Sequence, residues 1–417
     1  MKHYRPAIPF VLITLFLDIL GIGLIIPILP KLIIELSGGN VSHASATYGI
    51  LIALFATMQF IFAPVLGSLS DRYGRRPVIL FSLFGSGADY LLLYFAPNLT
   101  WFFIARIISG ITGASITSAS AYIADVTPPE KRAQSFGLIG ATFGLGFIAG
   151  PALGGLLGNI GLRLPFLVAA GLTLLNWFYG LLILPESLQP DHRRAFSWAR
   201  SNPLGSLLAL KKYPVVLGLT GTLFLLNLVQ TFIQSTWVLY TGYRYHWTVA
   251  QTGVSLTIIG VMAAIVQGGL VRIIVPKLGE RRSIIVGLTI STFAQLGYGL
   301  ATQGWMIYLM LIFGCLAGIA GPAVQALISK GVAVNEQGGV QGALASLGSL
   351  AGIIGPPVAT GLFGYFISDK APIHLPGIAF FLGSLLVFCS MQLAARSFRK
   401  TPPATAPTIA PNASATP

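Results

Sequence analysis

Three ionisable residues draw attention by position: Asp18, Asp89 and Arg106 each fall inside a long apolar run. Asp18 lies ~11 residues into the first run. At ~1.5 Å per residue that is ~16 Å deep, near the middle of a ~30 Å hydrocarbon layer. Asp89 sits at a similar depth, ~12 residues from the start of its own run. An ionised carboxylate at such a depth is costly unless it is paired or wetted. The surroundings favour the neutral acid, so a side chain of this kind can load and release protons. The alternative is a fixed ion pair or a hydrogen-bonded contact between helices. Asp89 admits a third use, as a contact for a cationic ligand. Arg106 stays charged in any environment and needs a partner. Asp18 and Asp89 are the mid-membrane acids that could supply it.

A binding cavity needs a few polar groups on apolar walls. The runs offer Gln59, Asn227, Gln230, Gln234, Gln267, Gln295 and Gln325 as such groups, and Tyr90, Trp237 and Tyr298 as aromatic faces. Each also fits a plain helix–helix hydrogen bond or a core ring. His3, His43, His192, His246 and His374 fall in loops or at the ends of runs, which excludes a histidine proton relay in the core. Cys315 and Cys389 lie within runs, in neither a CxxC pair nor a metal-ligand spacing, and read as small core residues. There is no Walker loop, no intramembrane His/Glu metal motif and no companion base or nucleophile beside the aspartates. The chain is therefore expected to be no enzyme, to need no metal or cofactor, and to take no energy directly from ATP. The Asn-x-Ser/Thr matches at Asn40, Asn98 and Asn412 carry little weight.

The elements that must hold these residues are set by composition. Of 417 residues, 54% are hydrophobic and 9% charged, against roughly 25% charged in soluble domains. So few charges cannot cover a water-soluble body of this size. A soluble enzyme, a nucleic-acid-binding domain and a disulfide scaffold are excluded. Apolar runs lie near 7–30, 47–69, 77–96, 99–122, 134–158, 164–184, 213–240, 250–271, 283–302, 304–327, 339–366 and 374–395. Their length favours helices over a β-barrel, whose strands alternate over ~10 residues. The first run is too long and too apolar for a signal peptide and lacks a small-residue cleavage site.

Lysine and arginine orient the spans. Of the 25, Lys31, Arg163, Arg244 and Lys370 fall on one side and Arg106 within a span; all others fall on the opposite side. That asymmetry predicts cytoplasmic termini, and it accounts for the net charge of +14 without a DNA or RNA partner. A polar stretch broken by Pro185, Pro190 and Pro203 separates six runs from six. The expected layout is a six-helix bundle over 1–184, a cytoplasmic linker over 185–212, a second bundle over 213–396 and a disordered tail over 397–417. The halves echo each other at an offset of 205 residues: Leu278-Gly279 falls on Tyr73-Gly74, and Gly355-Pro356 on Gly150-Pro151. A duplicated six-span unit suggests two bundles with a cavity between them, as in secondary transporters; a duplicated scaffold without transport is the plainer reading.

Three motifs carry a family resemblance. Gly67-Ser-Leu-Ser-Asp71-Arg72-Tyr-Gly74-Arg75-Arg76 resembles the G-x-x-x-D-R-x-G-R-R signature of the major facilitator superfamily. Gly146, Gly150, Pro151, Gly154 and Gly155 resemble its antiporter motif. Asp18-x-x-Gly21-x-Gly23-Leu24-x-x-Pro27-x-Leu29-Pro30 is similar to span one of its drug/proton antiporters. Asp89-Tyr90, Ile111-Thr-Gly-Ala114, Ala121-Tyr-Ile-Ala-Asp125, Leu278-Gly-Glu-Arg281, Gln341-Gly342-x-Leu-Ala-Ser-Leu347 and Gly355-Pro356 narrow the resemblance to the tetracycline/proton antiporter branch. Two positions depart from that branch: Ser291 stands where it has an Asp, and Ala263 where it has a His.

The resemblance implies an all-α integral membrane protein of twelve transmembrane helices in two pseudo-symmetric bundles. It implies proton-coupled efflux of a small amphipathic drug, tetracycline-like or broader, by alternating access across a bacterial inner membrane. Asp18, Asp89 and Arg106 would couple protons. Gln59, Tyr90, Gln230, Gln234, Trp237, Gln267, Tyr298 and Gln325 would line the substrate cavity, with Gln267 matching a span-eight glutamine of the branch. Asp71, near the positive dipole end of span eleven, would latch the halves with Gly67, Gly74, Arg75 and Asp125. Arg72, Arg76, Lys131 and Arg132 read as topology charges. The glycines near Pro151, where a backbone donor is lost, would permit a tight, hinge-like helix approach. The expected partners are a small-molecule substrate, protons and lipid, and the chain is expected to be a monomer. The competing readings are an exporter of an endogenous metabolite or siderophore, and a receptor or scaffold without transport.

Overall fold

The computed structural model describes residues 7–113, 115–194, 196, 214–332 and 337–400. Among them all regular structure is helical, and twelve helices are long and apolar enough to cross a membrane. Spans one to six are Ala7–Ile25, Val41–Tyr73, Arg75–Phe95, Leu99–Val126, Arg132–Ile160 and Leu164–Ile183. Spans seven to twelve are Pro214–Tyr245, Val249–Leu278, Glu280–Leu300, Gly304–Lys330, Gln337–Phe366 and Ile378–Lys400. Each expected run coincides with one of them. The last helix continues to Lys400, past the expected boundary at 396. Most of the expected linker and the tail from 401 lie outside the described residues.

Local chemistry explains the helix starts. Asn40 accepts a hydrogen bond from the His43 N–H at 3.0 Å, and Asn98 one from the Thr100 N–H at 3.2 Å. Both are N-caps, which satisfy donors that a helix start leaves open. Span eight opens with a reciprocal capping box between Thr248 and Gln251. Gly74 and Gly279 end spans two and eight at φ of 110° and 77°. Glycine tolerates that conformation without a Cβ clash, and these two glycines form one of the two matches of the internal repeat.

Four spans or their flanks are interrupted. Span one is followed by a turn and the short helix Leu29–Leu36. Span four breaks at Gly113, between Leu99–Thr112 and Ser115–Val126. Span eight contains a π segment, Val266–Leu270, and span ten a 3-10 segment, Leu316–Ile319. Hydropathy alone reads through all of these, because a local change of helix type leaves the apolar pattern intact.

Packing repeats between the halves. Spans one and five, one and six, three and six, three and four, and two and four pack together. Adding six to each number reproduces the packing of the second half. The halves meet along span two against span eleven and span five against span eight. This is a pseudo-two-fold arrangement of two six-helix bundles.

Glycine sets how close the seams come. A Cβ on Gly150 would lie 2.7 Å from the Gly23 Cα, and one on Gly154 would run into the Leu24 carbonyl, so span five presses on span one. Gly155 packs on Ala250 and Gly253 of span eight, and Gly253 on the Pro151 carbonyl. Across the other seam Gly49 packs on Thr360 and Pro356, and Gly364 on the Ser42 carbonyl. These contacts gather toward the end remote from the basic loops. There the Lys31 ammonium donates to the Trp247 carbonyl at 2.7 Å and the Ser42 hydroxyl to the Gly364 carbonyl at 2.7 Å, tying half to half. Toward the basic end, Gly137, Gly140 and Gly144 of span five and Gly268 and Gly269 of span eight have open space around them. Spans five and eight therefore diverge toward the basic end.

Gly150→Val should lower the stability of the detergent-solubilised protein by ~1–3 kcal/mol, the usual range for overpacking. Gly140→Ala, where an added methyl meets open space, should leave the thermal midpoint unchanged or slightly raised. Thermal unfolding followed by tryptophan fluorescence checks both.

Candidate functional site

The N-terminal half holds a charged cluster. The Arg106 guanidinium donates to the Asp89 carboxylate at 2.9 Å. Asp89 is 1% exposed, and Arg106 also lies 5.8 Å from the centre of the Phe55 ring. The sequence left the arginine's partner open between two aspartates; the structure pairs it with Asp89. Among the described residues, Asp89 Oδ1 and Arg106 Nε are buried with no hydrogen-bond partner. One hydrogen bond joins the two side chains, and Ser109 hydrogen-bonds the same carboxylate. Tyr90 lies within electrostatic reach of Asp18, Asp89 and Arg106 together, and Tyr48 within reach of Arg106. Gly21, one helical turn from Asp18, packs against the Tyr90 hydroxyl. Asp18 is 7% exposed. The three residues expected to couple protons therefore share one buried region inside the first half.

The C-terminal half holds a cavity of about 440 Å³. Asn227, Gln230 and Trp237 reach it from span seven, Gln267 from span eight, and Ser291, Gln295 and Tyr298 from span nine. The Trp237 N–H donates to the Ser255 hydroxyl at 2.9 Å, and the indole stands edge-on to Tyr298 at 5.4 Å. Those two contacts hold the ring orientation. Gln267 sits in the π segment of span eight, and Ala317 and Gly318 line the cavity from the 3-10 segment of span ten. Departures from α geometry often accompany functional sites. Ala263 and Ser291 also line the cavity.

Of the eight residues expected around a substrate, Gln230, Trp237, Gln267 and Tyr298 meet here. Asn227 and Gln295, also among the amides noted in the runs, join them. The others stand elsewhere. Gln59 donates to the Gly113 carbonyl at 3.2 Å, at the break in span four. Gln325 donates to Gln341 at 3.1 Å, joining spans ten and eleven. Tyr90 belongs to the charged cluster, and Gln234 is exposed on span seven. The cysteines correct the reading as core residues: Cys315 lines the cavity half-buried, and Cys389 is exposed on span twelve. An apolar run has the same composition whether a given face meets lipid, protein or a cavity, so its sequence did not separate these.

At the basic end, Arg75 bridges two acids, Asp71 at 2.5 Å and Asp125 at 3.0 Å. The Ser187 hydroxyl donates to Asp125 at 3.1 Å. Glu186 accepts from the N–H groups of Arg75 at 2.8 Å and Arg76 at 3.2 Å, capping span three. Sequence reasoning passed over Glu186, whose one signal was an acid directly after span six in a chain with 11 acids. Among the described residues no hydrogen bond or ion pair joins Asp71 to span eleven, and Gly67 has open space around it. The expected latch groups are assembled within the first half but do not bridge the halves. Their counterparts at the offset of 205 carry reversed charges: Glu280 and Lys330 form an ion pair where Arg75 and Asp125 do in the first half. In the antiporter motif, Gly146, Gly150 and Gly154 face span one, and Gly155 faces span eight.

Comparison with known families matches residues 11–356 to the Major Facilitator Superfamily. The chain is 40% identical over 341 residues to the class C tetracycline resistance protein of Escherichia coli, covering 81% of this chain and 85% of that protein. It is 36% identical over 403 residues to the class H tetracycline resistance protein of Pasteurella multocida, covering 96% and 98%. Among solved structures, the human organic anion transporter MFSD10 superposes with a TM-score of 0.69 at 25% identity, covering 94% of this chain and all of that one.

Asp89→Asn would leave Arg106 buried without a counter-charge and should destabilise the fold by ~3–5 kcal/mol. Adding Arg106→Gln should restore most of that loss. Unfolding midpoints of the two variants against the parent protein measure the difference.

Proposed function

We propose, from the premise that this chain belongs to the major facilitator superfamily, that it exports a small amphipathic drug in exchange for protons across a bacterial inner membrane. The observation that carries the proposal is the buried cluster of Asp18, Asp89, Tyr90 and Arg106. A buried acid beside a permanent cation is a two-state element: protonation removes the attraction and frees the guanidinium to seek other partners. Proton occupancy then biases which arrangement of the halves is favoured. The relatives named for tetracycline resistance supply the first cargo class.

The positive-inside rule supports a cytoplasmic position for the basic loops. The arrangement described is then closed toward the periplasm and open toward the cytoplasm. Cargo enters from the cytoplasm beside Gln230, Gln267 and Tyr298. The halves rock about the glycine seams, spans five and eight close, and Asp71 meets the N-terminus of span eleven. Asp18 takes a proton from the periplasmic side and gives it up to the cytoplasm as the cycle returns. A second reading, export of an endogenous metabolite or siderophore on the same fold, draws on Ser291 and Ala263, which give the cavity a wall unlike that of the tetracycline branch.

Inverted membrane vesicles with an acid interior test the proposal. Tetracycline should accumulate in them, and collapsing the pH gradient should abolish accumulation. Asp18→Asn should reduce gradient-driven uptake by more than ~10-fold, the loss expected when a proton-transfer group is removed. Full coupled transport by Asp18→Asn would refute the coupling assignment. No gradient-driven uptake across a chemically varied drug panel would favour the metabolite reading.

A further inference from the structure

Among the described residues, the lining of the cavity in the C-terminal half carries no formal charge. The polar side chains lining it are Asn227, Gln230, Gln267, Ser291 and Gln295, with the Tyr298 hydroxyl and the Cys315 thiol; no described Asp, Glu, Lys, Arg or His lines it. The intramembrane charges belong to the other half: Asp89 and Arg106 offset each other, and Asp18 is buried there within electrostatic reach of Tyr90. A cation entering the cavity would lose part of its hydration and meet no counter-charge in the cavity's own lining, which is costly in a low-dielectric site. A molecule without net charge meets the opposite situation. Four carboxamides present donors and acceptors together, and Trp237 and Tyr298, fixed edge to face, offer aromatic surface.

A second cavity points the same way. At the end remote from the basic loops, a space of about 580 Å³ lies between the halves, lined by Lys31, Arg244, His246 and His374 with Tyr243 and Trp247. No acid lines it. The Lys31 ammonium is partly buried there, which holds its pKa below the ordinary lysine value. A cation leaving the first cavity toward this end would face groups that repel it.

From these two cavities we infer that the ligand is bound in a form with no net positive charge, selected by carboxamide hydrogen bonding and aromatic contact rather than by ion pairing. Calling that ligand the cargo rests on the export reading above. The charge preference belongs to the cavity and is measured apart from transport.

Two probes of nearly the same shape separate the cases: acridine, neutral at pH 8, and N-methylacridinium, a fixed cation. Each is titrated against the full-length protein in a non-ionic detergent, with quenching of tryptophan fluorescence as the readout. The Trp237→Phe variant identifies the signal from the cavity. Acridine should bind at least ~10-fold more tightly than N-methylacridinium, a difference of ~1.4 kcal/mol. Gln230→Glu, nearly isosteric at an exposed position, and Ser291→Asp should each shift the ratio toward the cation by ~10-fold. Equal or tighter binding of the cation by the parent protein would overturn the inference. So would carboxylate variants that leave the ratio unchanged, or the absence of Trp237-dependent quenching by either probe. Loss of drug export with the charge preference intact would sink the export reading alone.

Discussion

An arginine in the middle of a hydrocarbon layer must have a counter-charge, and much of the N-terminal half is organised around that constraint. Arg106 cannot shed its proton, so the protein must bring an acid to it. Asp89 does so from span three, with Phe55 of span two under the guanidinium. Spans two, three and four pack together at the place where the charge needs them. Among the described residues one carboxylate oxygen and one guanidinium nitrogen of the pair have no hydrogen-bond partner.

The two halves divide the chemistry between them. Charge is concentrated within the first bundle, while the cavity in the second is lined by neutral amides and rings. What joins the two is backbone. Span five touches span one through Gly146, Gly150 and Gly154 and span eight through Gly155, so one helix lies between the charged cluster's bundle and the wall of the cavity. Small residues let the two backbones approach closely with few side chains interlocked between them. The irregular segments in spans eight and ten lie on the cavity side of that arrangement and bring Gln267, Ala317 and Gly318 to its wall.

The duplication is more legible in space than in sequence. The chain showed two short matches at one offset. The structure adds equivalent helix pairings throughout, matching left-handed glycines at 74 and 279, and an ion pair whose signs are exchanged between the halves. Charge reversal removes an ion pair from any identity comparison while preserving its attraction, so the most conservative physical feature of the repeat was the hardest to read from residue types. The caps at Asn40 and Asn98 show the reverse: local hydrogen bonding assigned them a purpose that their glycosylation-like context did not.

The twelve spans, the basic asymmetry of the loops and the identity of the buried ionisable groups are legible in the order of residues alone. Each is a property of composition along the chain: apolar length, lysine and arginine counts, and the cost of charge in hydrocarbon do not depend on which helices become neighbours. The tertiary structure decided which acid answers Arg106, which amides share a cavity and which only tie helices together, and at which end the halves are closed. Those outcomes depend on helix rotation and on contacts between residues far apart in the chain. An apolar helix presents lipid, neighbour and cavity with much the same side chains, so its rotation is set by the packing of the whole bundle and not by any pattern within the helix.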